Sequence, residues 1–331
     1  MNATINLEKH FPVLLEELIS IISPLYGGTF IDCTFGGGGY SKKILEYQYN
    51  KVIALDRDKS VEKIANSFLD KHEKNFKFYN SKFSDLHKIK TINKDIKAII
   101  FDLGYSLHQI SDLKRGISFK SKGELDMRMG LNKFSCHDVI TAMSQENLYK
   151  IFKNFGEEKF SKPISKKIVN FRKNKQIDTE NLVKIIESVK RKRNKINNST
   201  KVFQALRIFV NKEITELVNG LINAYKVLPI GGMIVVVTFH SIEDKIVKFF
   251  FKNYSDKKNS SRYAPSIIKN NCLKLKNNKP IVPSNDEKNI NPASRSAKLR
   301  YAIKTHENDN FNELYEKFNY LIETENLSYN S

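Results

Sequence analysis

A glycine-rich run from Phe30 to Ser41 stands between a predicted strand and a helical pattern at Lys42–Tyr47. Glycines let the backbone turn sharply and approach a ligand without a Cβ clash, and the helix N-terminus adds a favourable polarity. The next apolar run ends in Asp56, twenty positions after Gly36, the place from which an acid hydrogen-bonds ribose hydroxyls. Together the turn and the acid predict a cofactor that contains adenosine.

Asp32, at the end of the first predicted strand, indicates which adenosine cofactor fits. Its charge would repel a pyrophosphate and attract the cationic ammonium and sulfonium groups of S-adenosylmethionine. The turn at 228–232, ahead of an apolar run, is a second feature that class I methyltransferases often carry. The sequence therefore favours S-adenosylmethionine over a nicotinamide dinucleotide. Phe83, after the third predicted strand, either covers the adenine face or belongs to the core.

The fourth predicted strand, Ile96–Phe101, leads into Asp102 and Tyr105 at the sheet edge where ligands of open α/β sheets bind. The segment resembles the Asp-Pro-Pro-Tyr signature of methyltransferases that act on exocyclic amines. A cytosine N4 lone pair is delocalised into the ring, so acceptors must hold its hydrogens and align the amine for direct in-line methyl transfer. Asp102 can accept from the amine, and Tyr105 can stack on an extruded base. Alternatively, Asp102 only binds the cofactor or caps a turn.

A polar run from Thr238 to Asp244 ends the fifth predicted strand and opens a helix. Its side chains should therefore face the same cleft. His240 is a candidate catalytic residue that could contact the base or a phosphate. In the alternative interpretation, Ser241 caps the helix and His240 is a hydrogen-bonded wall residue.

The net charge of +20 indicates a polyanionic partner, and nucleic acid is the commonest one. The helical pattern Ser161–Lys175 carries Lys166 and Lys167 on its polar side, and a second basic run follows at Lys190–Lys195. These lysines are candidate phosphate contacts. Because the chain is generally rich in Lys, Asn and Ile, they could instead form a solvated helix face and a loop.

The segment Asn291–Arg300 places Arg295, Lys298 and Arg300 within six residues. If Leu299–Ile303 is a strand, its alternation sends Lys298 and Arg300 to one face, where they could clamp a phosphate. Surface solvation is the alternative.

Short apolar runs alternate with helical patterns, which predicts the α/β class and a doubly wound parallel sheet with helices on both faces. The predicted strands are Thr29–Cys33, Lys51–Leu55, Phe76–Tyr79, Ile96–Phe101 and Gly232–Thr238, after an opening amphipathic helix at Phe11–Ile22. Turns and helices between Asp102 and about Asn211 interrupt this rhythm. The predicted domains are a discontinuous cofactor domain (1–110 and 212–310), an inserted helical domain (111–211), a mobile loop (253–291) and a C-terminal tail (311–331).

Composition predicts a soluble, cytoplasmic protein without a membrane segment. No run of about 18 apolar residues occurs, and the first residues lack the pattern of a signal peptide. Cys33, Cys136 and Cys272 lie far apart, so neither a metal site nor a disulfide framework is expected. The apolar faces are compatible with a monomer or a homodimer.

Six blocks in order resemble the RsmH (MraW) family of bacterial methyltransferases, which act on cytosine N4 in small-subunit (16S) ribosomal RNA. The resemblance runs from His10 to Arg300, nearly the whole chain. The blocks are Asp32–Ser41, Asp112–Phe119 with Gly123–Met129, Gly156–Glu158, Thr200–Arg207, Phe239–Asp244 and Asn291–Arg300.

The resemblance implies a Rossmann-like class I methyltransferase domain with an inserted helical domain that recognises the substrate. It implies cofactor contacts from Gly38, Gly39, Tyr40, Asp56, Phe83, Asp102 and Gln109. With it, the candidate RNA-binding residues are Lys166, Lys167, Arg207, Arg295, Lys298 and Arg300. The implied product is N4-methylcytidine at the decoding centre, where it would tune messenger placement in the peptidyl site.

Two positions depart from the family pattern. Tyr40 stands where the family usually has His, and this change leaves the backbone groups free to contact the cofactor as the resemblance implies. The run Tyr105–His108 replaces a more usual Val-Ser-Ser-Pro-like run, so the side chains near the target base differ from the family pattern.

Three other functions fit parts of this pattern. They are a methyltransferase of the same fold acting on DNA or protein, a non-catalytic RNA-binding assembly factor, and an NAD-dependent oxidoreductase. Loss of the glycines, Asp56 or Asp102 would favour the assembly factor, and all are present. The sequence leaves open whether naked RNA or the assembled small subunit is the substrate.

Overall fold

The structure is a computed structural model that describes residues 12–90, 95–105, 109, 112–119, 121, 123–190, 197–255 and 271–328. The chain divides into two compact units, a first unit of residues 1–104 and 219–314 and a second unit of residues 105–218 and 315–331. The strands are β1 (Gly28–Asp32), β2 (Asn50–Asp56), β3 (Phe76–Asn80), β4 (Ile96–Asp102), β5 (Met233–Thr238), β6 (Leu273–Leu275) and β7 (Lys298–Lys304). The helices are α1 (Leu15–Ile22), α2 (Gly39–Leu45), α3 (Glu62–Lys71), α4 (Cys136–Ala142), α5 (Gln145–Gly156), α6 (Ser161–Phe171), α7 (Thr179–Val189), α8 (Thr200–Asn211), α9 (Glu213–Val227), α10 (Ser241–Asn253), α11 (Asn285–Ile290) and α12 (Asn312–Glu325).

The first unit contains one seven-stranded sheet in the order β3-β2-β1-β4-β5-β7-β6. The pairs among β1 to β5 are parallel, whereas β7 runs antiparallel to both β5 and β6. The strand order reverses between β1 and β4, and such a switch point opens a crevice at the carboxyl ends of the strands. All five predicted strands are present, and their ends lie within one residue of the prediction.

Helices cover both faces of the sheet. On one face, Phe30 and Val52 belong to a buried cluster with residues of α1, α2 and α3. On the other face, the Phe101 ring lies edge-on to Phe83 with centroids 5.3 Å apart. Helix α9 closes over this pair at Gly220, where a Cβ would come within 2.4 Å of the Phe83 ring. The predicted doubly wound α/β class is therefore confirmed.

The predicted loop at 253–291 contains two regular elements in its described part, β6 and α11. Cys272 and Leu273 are buried beside β7, and the Ile281 backbone exchanges two hydrogen bonds with Leu299. A polar composition suggested a loop, but pairing with a sheet edge uses backbone groups and needs few apolar side chains. Residues 256–270 of this range lie outside the described residues.

Lys304 of β7 donates hydrogen bonds to backbone carbonyl groups at the end of α9. Its side chain is only 1% exposed, and Nζ donates to the carbonyl oxygens of Tyr225 (3.1 Å) and Leu228 (2.8 Å). The ammonium also lies 4.4 Å from the centroid of the Tyr225 ring and 2.8 Å from a Glu307 carboxylate oxygen. A buried cation is tolerated here because helix-terminal carbonyls and a carboxylate compensate for lost hydration.

In the described part of the second unit, the regular elements are all helices. Helix α5 packs against α6 and α8, and its residues Phe152 and Phe155 are fully buried. Gly156 ends α5 so close to α8 that a Cβ would lie 2.6 Å from the Lys201 carbonyl oxygen. Buried Glu158 then pairs with Lys190 at 2.7 Å. The block Gly156–Glu158 therefore has a packing role.

The division into units differs from the predicted domain boundaries. The chain leaves the first unit at Gly104 rather than at residue 110, and it returns within α9 at Asn219 rather than at residue 212. The tail from Tyr315 groups with the second unit, where Thr324 accepts a hydrogen bond from the Asn154 amide at 2.8 Å. Among the described helices, none is long and apolar enough to span a membrane.

Glu325, the last residue of α12, is a buried acid at the start of α9. Its carboxylate accepts from the backbone amides of Ile214 (2.7 Å) and Thr215 (2.8 Å) and from the Thr215 hydroxyl (2.5 Å). First-turn amides have no partner within their own helix, so the carboxylate caps α9. Burial raises the pKa of Glu325 to about 7, although these hydrogen bonds oppose the shift.

Replacing Glu325 with Gln should remove a pH dependence of stability. The pKa is 4.5 for the free side chain and about 7 in the folded chain, so between these values the folded state retains a proton that the unfolded state has lost. The wild type therefore loses stability as the pH rises through this window, by about 3 kcal/mol in total. Denaturant unfolding at both ends of the window should show the Glu325→Gln chain gaining on the wild type as the pH rises.

Glu323→Gln is the matched control, because Glu323 is exposed on the same helix. Groups common to all three chains cancel in the comparison. A difference between wild type and Glu325→Gln that stays constant with pH would contradict the assignment.

Candidate active site

Three aspartates lie at the carboxyl ends of neighbouring parallel strands, Asp56 on β2, Asp32 on β1 and Asp102 on β4. Burial raises the pKa of each of the three carboxyl groups, and repulsion from Asp32 adds to the shifts of the other two. Among the described residues, no cation forms an ion pair with any of them. This edge of the sheet therefore favours a ligand that brings positive charge.

Asp32 holds the glycine-rich turn in place through hydrogen bonds. Its carboxylate accepts from the Ser41 hydroxyl at 2.6 Å and from the Thr34 amide at 3.2 Å. Burial raises its pKa, and these hydrogen bonds partly oppose the rise. Thr34 in turn accepts from the backbone amide of Asp102 at 2.7 Å, so the ends of β1 and β4 are joined through one hydroxyl.

Asp56 holds the other side of the same turn. One carboxylate oxygen accepts from the Gly36 amide at 2.8 Å, and the other accepts from the Asp58 amide at 2.8 Å. Burial raises the pKa of Asp56 to about 6, against the effect of these hydrogen bonds. A carboxylate with two fixed oxygens at this edge suits the predicted contact with ribose hydroxyls.

Asp102 has a polar atom that the described protein groups leave unsatisfied. Its Oδ1 atom is buried and has no hydrogen-bond partner among the described residues. Burial raises its pKa well above the usual range, and Asp32 and Glu243 raise it further by repulsion. A buried acceptor without a partner is costly, and a cationic or hydrogen-donating ligand would remove that cost.

The glycines of the turn have different structural reasons. Gly38 is left-handed (φ 74°), and a Cβ there would come within 2.9 Å of the Phe35 ring. A Cβ on Gly39 would lie 2.1 Å from Pro12. Protein packing therefore requires both glycines, whereas a Cβ on exposed Gly37 would meet nothing within 4 Å. The predicted cofactor contacts of Gly38 and Gly39 stay predictions for their backbone groups.

Two aromatic residues predicted to contact the cofactor are engaged by the protein. The buried Tyr40 hydroxyl donates to the Val13 carbonyl oxygen, which ties α2 to the segment before α1. Phe83 is partly buried against Phe101 and Gly220. Of its two interpretations, the core contact is present, and a cover for adenine stays a prediction.

His240, not Ser241, caps α10, so this part of the alternative interpretation is wrong. The His240 Nδ1 atom accepts from the Glu243 amide at 3.4 Å, and Glu243 Oε2 accepts from the amides of Phe239 (2.8 Å) and His240 (3.2 Å). The capping box needs its acid three residues after the cap, and Glu243 satisfies that spacing for His240. The contact of His240 with a base or phosphate stays a prediction.

Lys298 and Arg300 share one acidic partner. Alternation along β7 does send both to one face, where Lys298 Nζ lies 2.9 Å and Arg300 Nε lies 2.7 Å from the Asp244 carboxylate. Burial alone would raise the pKa of Asp244, but these two hydrogen bonds and charges lower it overall. Arg300 is buried, whereas Arg295 is exposed. The predicted phosphate clamp is thus already occupied by a carboxylate.

The remaining candidates belong to the second unit. Gln109 is buried, and Tyr105 is 44% exposed. Arg207 is buried, and its guanidinium is paired with Glu213 at 2.8 Å. On α6, Lys166 and Lys167 are exposed, and Lys167 Nζ donates to the Ser188 hydroxyl at 2.5 Å. Residues 106–108 and most of the basic run, 191–196, lie outside the described residues, and Lys190 forms the buried pair with Glu158.

Sequence reasoning assigned no role to Thr34, Glu243, Asp244 or Glu213. The acid at the third helical position of α10 was a usable signal for Glu243. The partners of Thr34 and Asp244 lie 68 and up to 56 residues away, so spacing could not reveal them.

Comparison with known proteins gives consistent matches. Ribosomal RNA small subunit methyltransferase H of Rickettsia africae is 41% identical over 303 residues, which cover 89% of this chain and 98% of that protein. The protein of the same name from Orientia tsutsugamushi is 39% identical over 308 residues, which cover 90% and 99%. A crystal structure of an rRNA methylase from Streptococcus thermophilus aligns with 90% of this chain and 100% of that one, at 10% identity and a TM-score of 0.40.

The sequence model of the MraW methylase family matches residues 7–305. The chain therefore belongs to the MraW methylase family, which confirms the predicted resemblance, the methyltransferase class and the S-adenosylmethionine cofactor.

Proposed function

We propose that this chain methylates N4 of a cytidine in small-subunit (16S) ribosomal RNA, in the peptidyl-site region of the decoding centre. The names of its relatives supply the substrate class. The observation that carries the chemistry is Asp102, whose buried Oδ1 has no partner among the described residues, at the edge where two further acids converge. The substrate is the naked RNA or the assembled small subunit, and the site of action is the cytoplasm.

The acids of the sheet edge hold the cofactor in this proposal. S-adenosylmethionine supplies an electrophilic methyl group on a positively charged sulfur. Asp56 accepts from the ribose hydroxyls, and Asp32 keeps the glycine-rich turn in place through Thr34 and Ser41. A cation beside Asp102 lowers the pKa of that carboxyl group, so the ionised acceptor and the positive ligand stabilise each other.

Ionised Asp102 then accepts a hydrogen bond from the exocyclic amine. This contact localises the nitrogen lone pair and orients it for in-line attack on the methyl carbon. The nitrogen–carbon bond would form as the carbon–sulfur bond breaks, the neutral thioether would leave, and one N4 proton would pass to the carboxylate or to water. Tyr105 stacks on the extruded cytosine, and His240 contacts the base or a phosphate. Gln109 contributes to the cofactor side, as the family resemblance implies. The second unit recognises the RNA, with exposed Lys166 and Lys167 as phosphate contacts.

Replacing Asp102 with Asn should abolish most of the turnover. Asn keeps the shape but loses the negative charge that holds the amine, and removal of one such electrostatic contact lowers kcat by about 100- to 1,000-fold. The measurement is transfer of labelled methyl groups to small ribosomal subunits that lack the modification, with identification of N4-methylcytidine by mass spectrometry of nucleosides.

Asp95→Asn is the matched control, because Asp95 is an exposed aspartate at the opposite end of β4. It should retain wild-type turnover. Wild-type protein that binds S-adenosylmethionine but methylates neither subunits nor naked RNA would refute the proposed function. Full activity of the Asp102→Asn chain would refute only the role of that residue.

Affinity for S-adenosylmethionine should increase as the pH rises through about 6. Without ligand, the carboxyl group of Asp56 has a pKa of about 6. Below that pH the group is mostly protonated, so it must lose a proton before it can accept fully from the ribose hydroxyls. Affinity then falls by up to about tenfold per pH unit below 6. Asp32 and Asp102 also face this edge with raised pKa values, so the difference between the wild-type and Asp56→Asn curves isolates the Asp56 part.

Calorimetric titration across this pH range measures the effect. The Asp56→Asn chain should bind more weakly at neutral pH and show a flatter curve. Parallel curves for the two chains would show that Asp56 does not contact the cofactor.

A further inference from the structure

Tyr105 presents an aromatic ring that contacts a cation and remains partly exposed. The guanidinium carbon of Arg207 lies 4.8 Å from the ring centroid, within the range of a cation–π contact. Arg207 is 6% exposed, whereas Tyr105 is 44% exposed. The cation therefore covers one ring face, and the exposed area of the residue is available to a ligand.

Glu213 holds the guanidinium in place. Arg207 Nε donates to Glu213 Oε1 and Nη2 donates to Oε2, each at 2.8 Å. This forked geometry fixes the plane of the guanidinium as well as its position. The pair is largely buried, with side-chain exposures of 8% and 14%. The positive charge of Arg207 is thus matched inside the protein, which disfavours its predicted role as a phosphate contact.

The backbone around the pair is also fixed. Asn211 ends α8, and its amide nitrogen donates to the carbonyl oxygens of Arg207 (2.9 Å) and Met127 (2.8 Å). Its amide oxygen accepts from the Met129 amide at 2.9 Å. Lys212 then adopts a left-handed conformation (φ 50°), and Glu213 follows immediately as the first residue of α9. The support of the Tyr105 ring is therefore built from regular, hydrogen-bonded elements.

We propose that Arg207 and Glu213 are positioning residues that hold Tyr105 as a stacking platform for a nucleobase of RNA. A flat ring with a fixed orientation stacks on a base at little entropic cost, and every base offers a face for stacking. The cation contact fixes the ring while 44% of the residue stays exposed to a ligand. This inference deepens the proposed function and rests on it for the identity of the ligand.

The platform and the predicted phosphate contact make different predictions about salt. Loss of a phosphate contact weakens RNA binding and reduces the slope of log affinity against log salt by about one. Loss of the platform leaves that slope unchanged, because no phosphate is released, and it lowers kcat by misplacing the base.

A double-mutant cycle tests the positioning role in the full chain. Arg207→Met is combined with Glu213→Gln, so that no buried charge is left unpaired. With Tyr105 present, this paired replacement should lower kcat on unmodified small subunits about tenfold. In the Tyr105→Leu background it should have no further effect, and the control Tyr320→Phe, at an exposed position of α12, should retain the wild-type rate. Additive effects, or a salt slope reduced by one, would overturn the proposal.

A fluorescence measurement tests base stacking without methylation. The chain contains no tryptophan, so Tyr105→Trp introduces the sole indole. A short single-stranded oligoribonucleotide should quench its emission, whereas an abasic oligonucleotide of the same length should not. The paired replacement should weaken the quenching. Tyr320→Trp, at an exposed position of α12, is the control and should respond to neither ligand.

The two experiments separate the platform from the proposed function. Base-dependent quenching without any methylation of subunits or RNA would support the platform and refute the proposed function. Methylation without base-dependent quenching would refute the platform alone. Absence of both would refute both.

Discussion

The burial of three acids at one edge of a parallel sheet is the constraint on which the rest of the first unit depends. Asp32, Asp56 and Asp102 are each less acidic than usual because they are desolvated, and Asp32 repels the other two. The glycine-rich turn supplies part of the compensation, since its backbone amides and the Ser41 hydroxyl donate to Asp32 and Asp56. Gly38 and Gly39 let the turn pack against Phe35 and Pro12, where a Cβ would clash. The buried Oδ1 atom of Asp102 is left without a hydrogen-bond partner among the described residues, and a positively charged cofactor would compensate for this loss.

At each end of α9, one buried charged side chain bonds the backbone groups that the helix leaves without a partner, and the two charges have opposite signs. Glu325 accepts from the first-turn amides, and Lys304 donates to the last-turn carbonyls, so each charge matches the polarity of its helix end. Both side chains are almost fully buried, and each belongs to the last thirty residues of the chain. The C-terminal region therefore completes the hydrogen bonding of a helix that lies about a hundred residues earlier in the chain.

Local patterns predicted the strands and the positions of Asp32, Asp56 and Asp102, because apolar runs and the residues that end them are features of neighbouring sequence. Partners distant in sequence were not predictable. Alternation along β7 correctly placed Lys298 and Arg300 on one face, but only the structure showed Asp244 between them. Likewise, composition predicted a loop at 253–291. Backbone pairing with an edge strand makes few demands on side-chain type, so the sequence did not indicate it. The cap at His240 was only partly predictable from the sequence. Its spacing to Glu243 was visible, but an imidazole is an uncommon cap.

The cations of this chain fall into two classes that net charge does not distinguish. Arg207, Arg300 and Lys190 are buried and paired with Glu213, Asp244 and Glu158, so their charges are used within the fold. Lys166, Lys167 and Arg295 are exposed and can meet a phosphate. Removing one member of a buried pair costs about 3–5 kcal/mol, because the partner charge stays buried. Alanine substitution would therefore make the first class look important for RNA binding through loss of folding alone. Among the described residues, the charge of +20 supports RNA binding through the exposed cations, whereas buried Arg207 acts on RNA, in our proposal, through the Tyr105 ring that it holds in place.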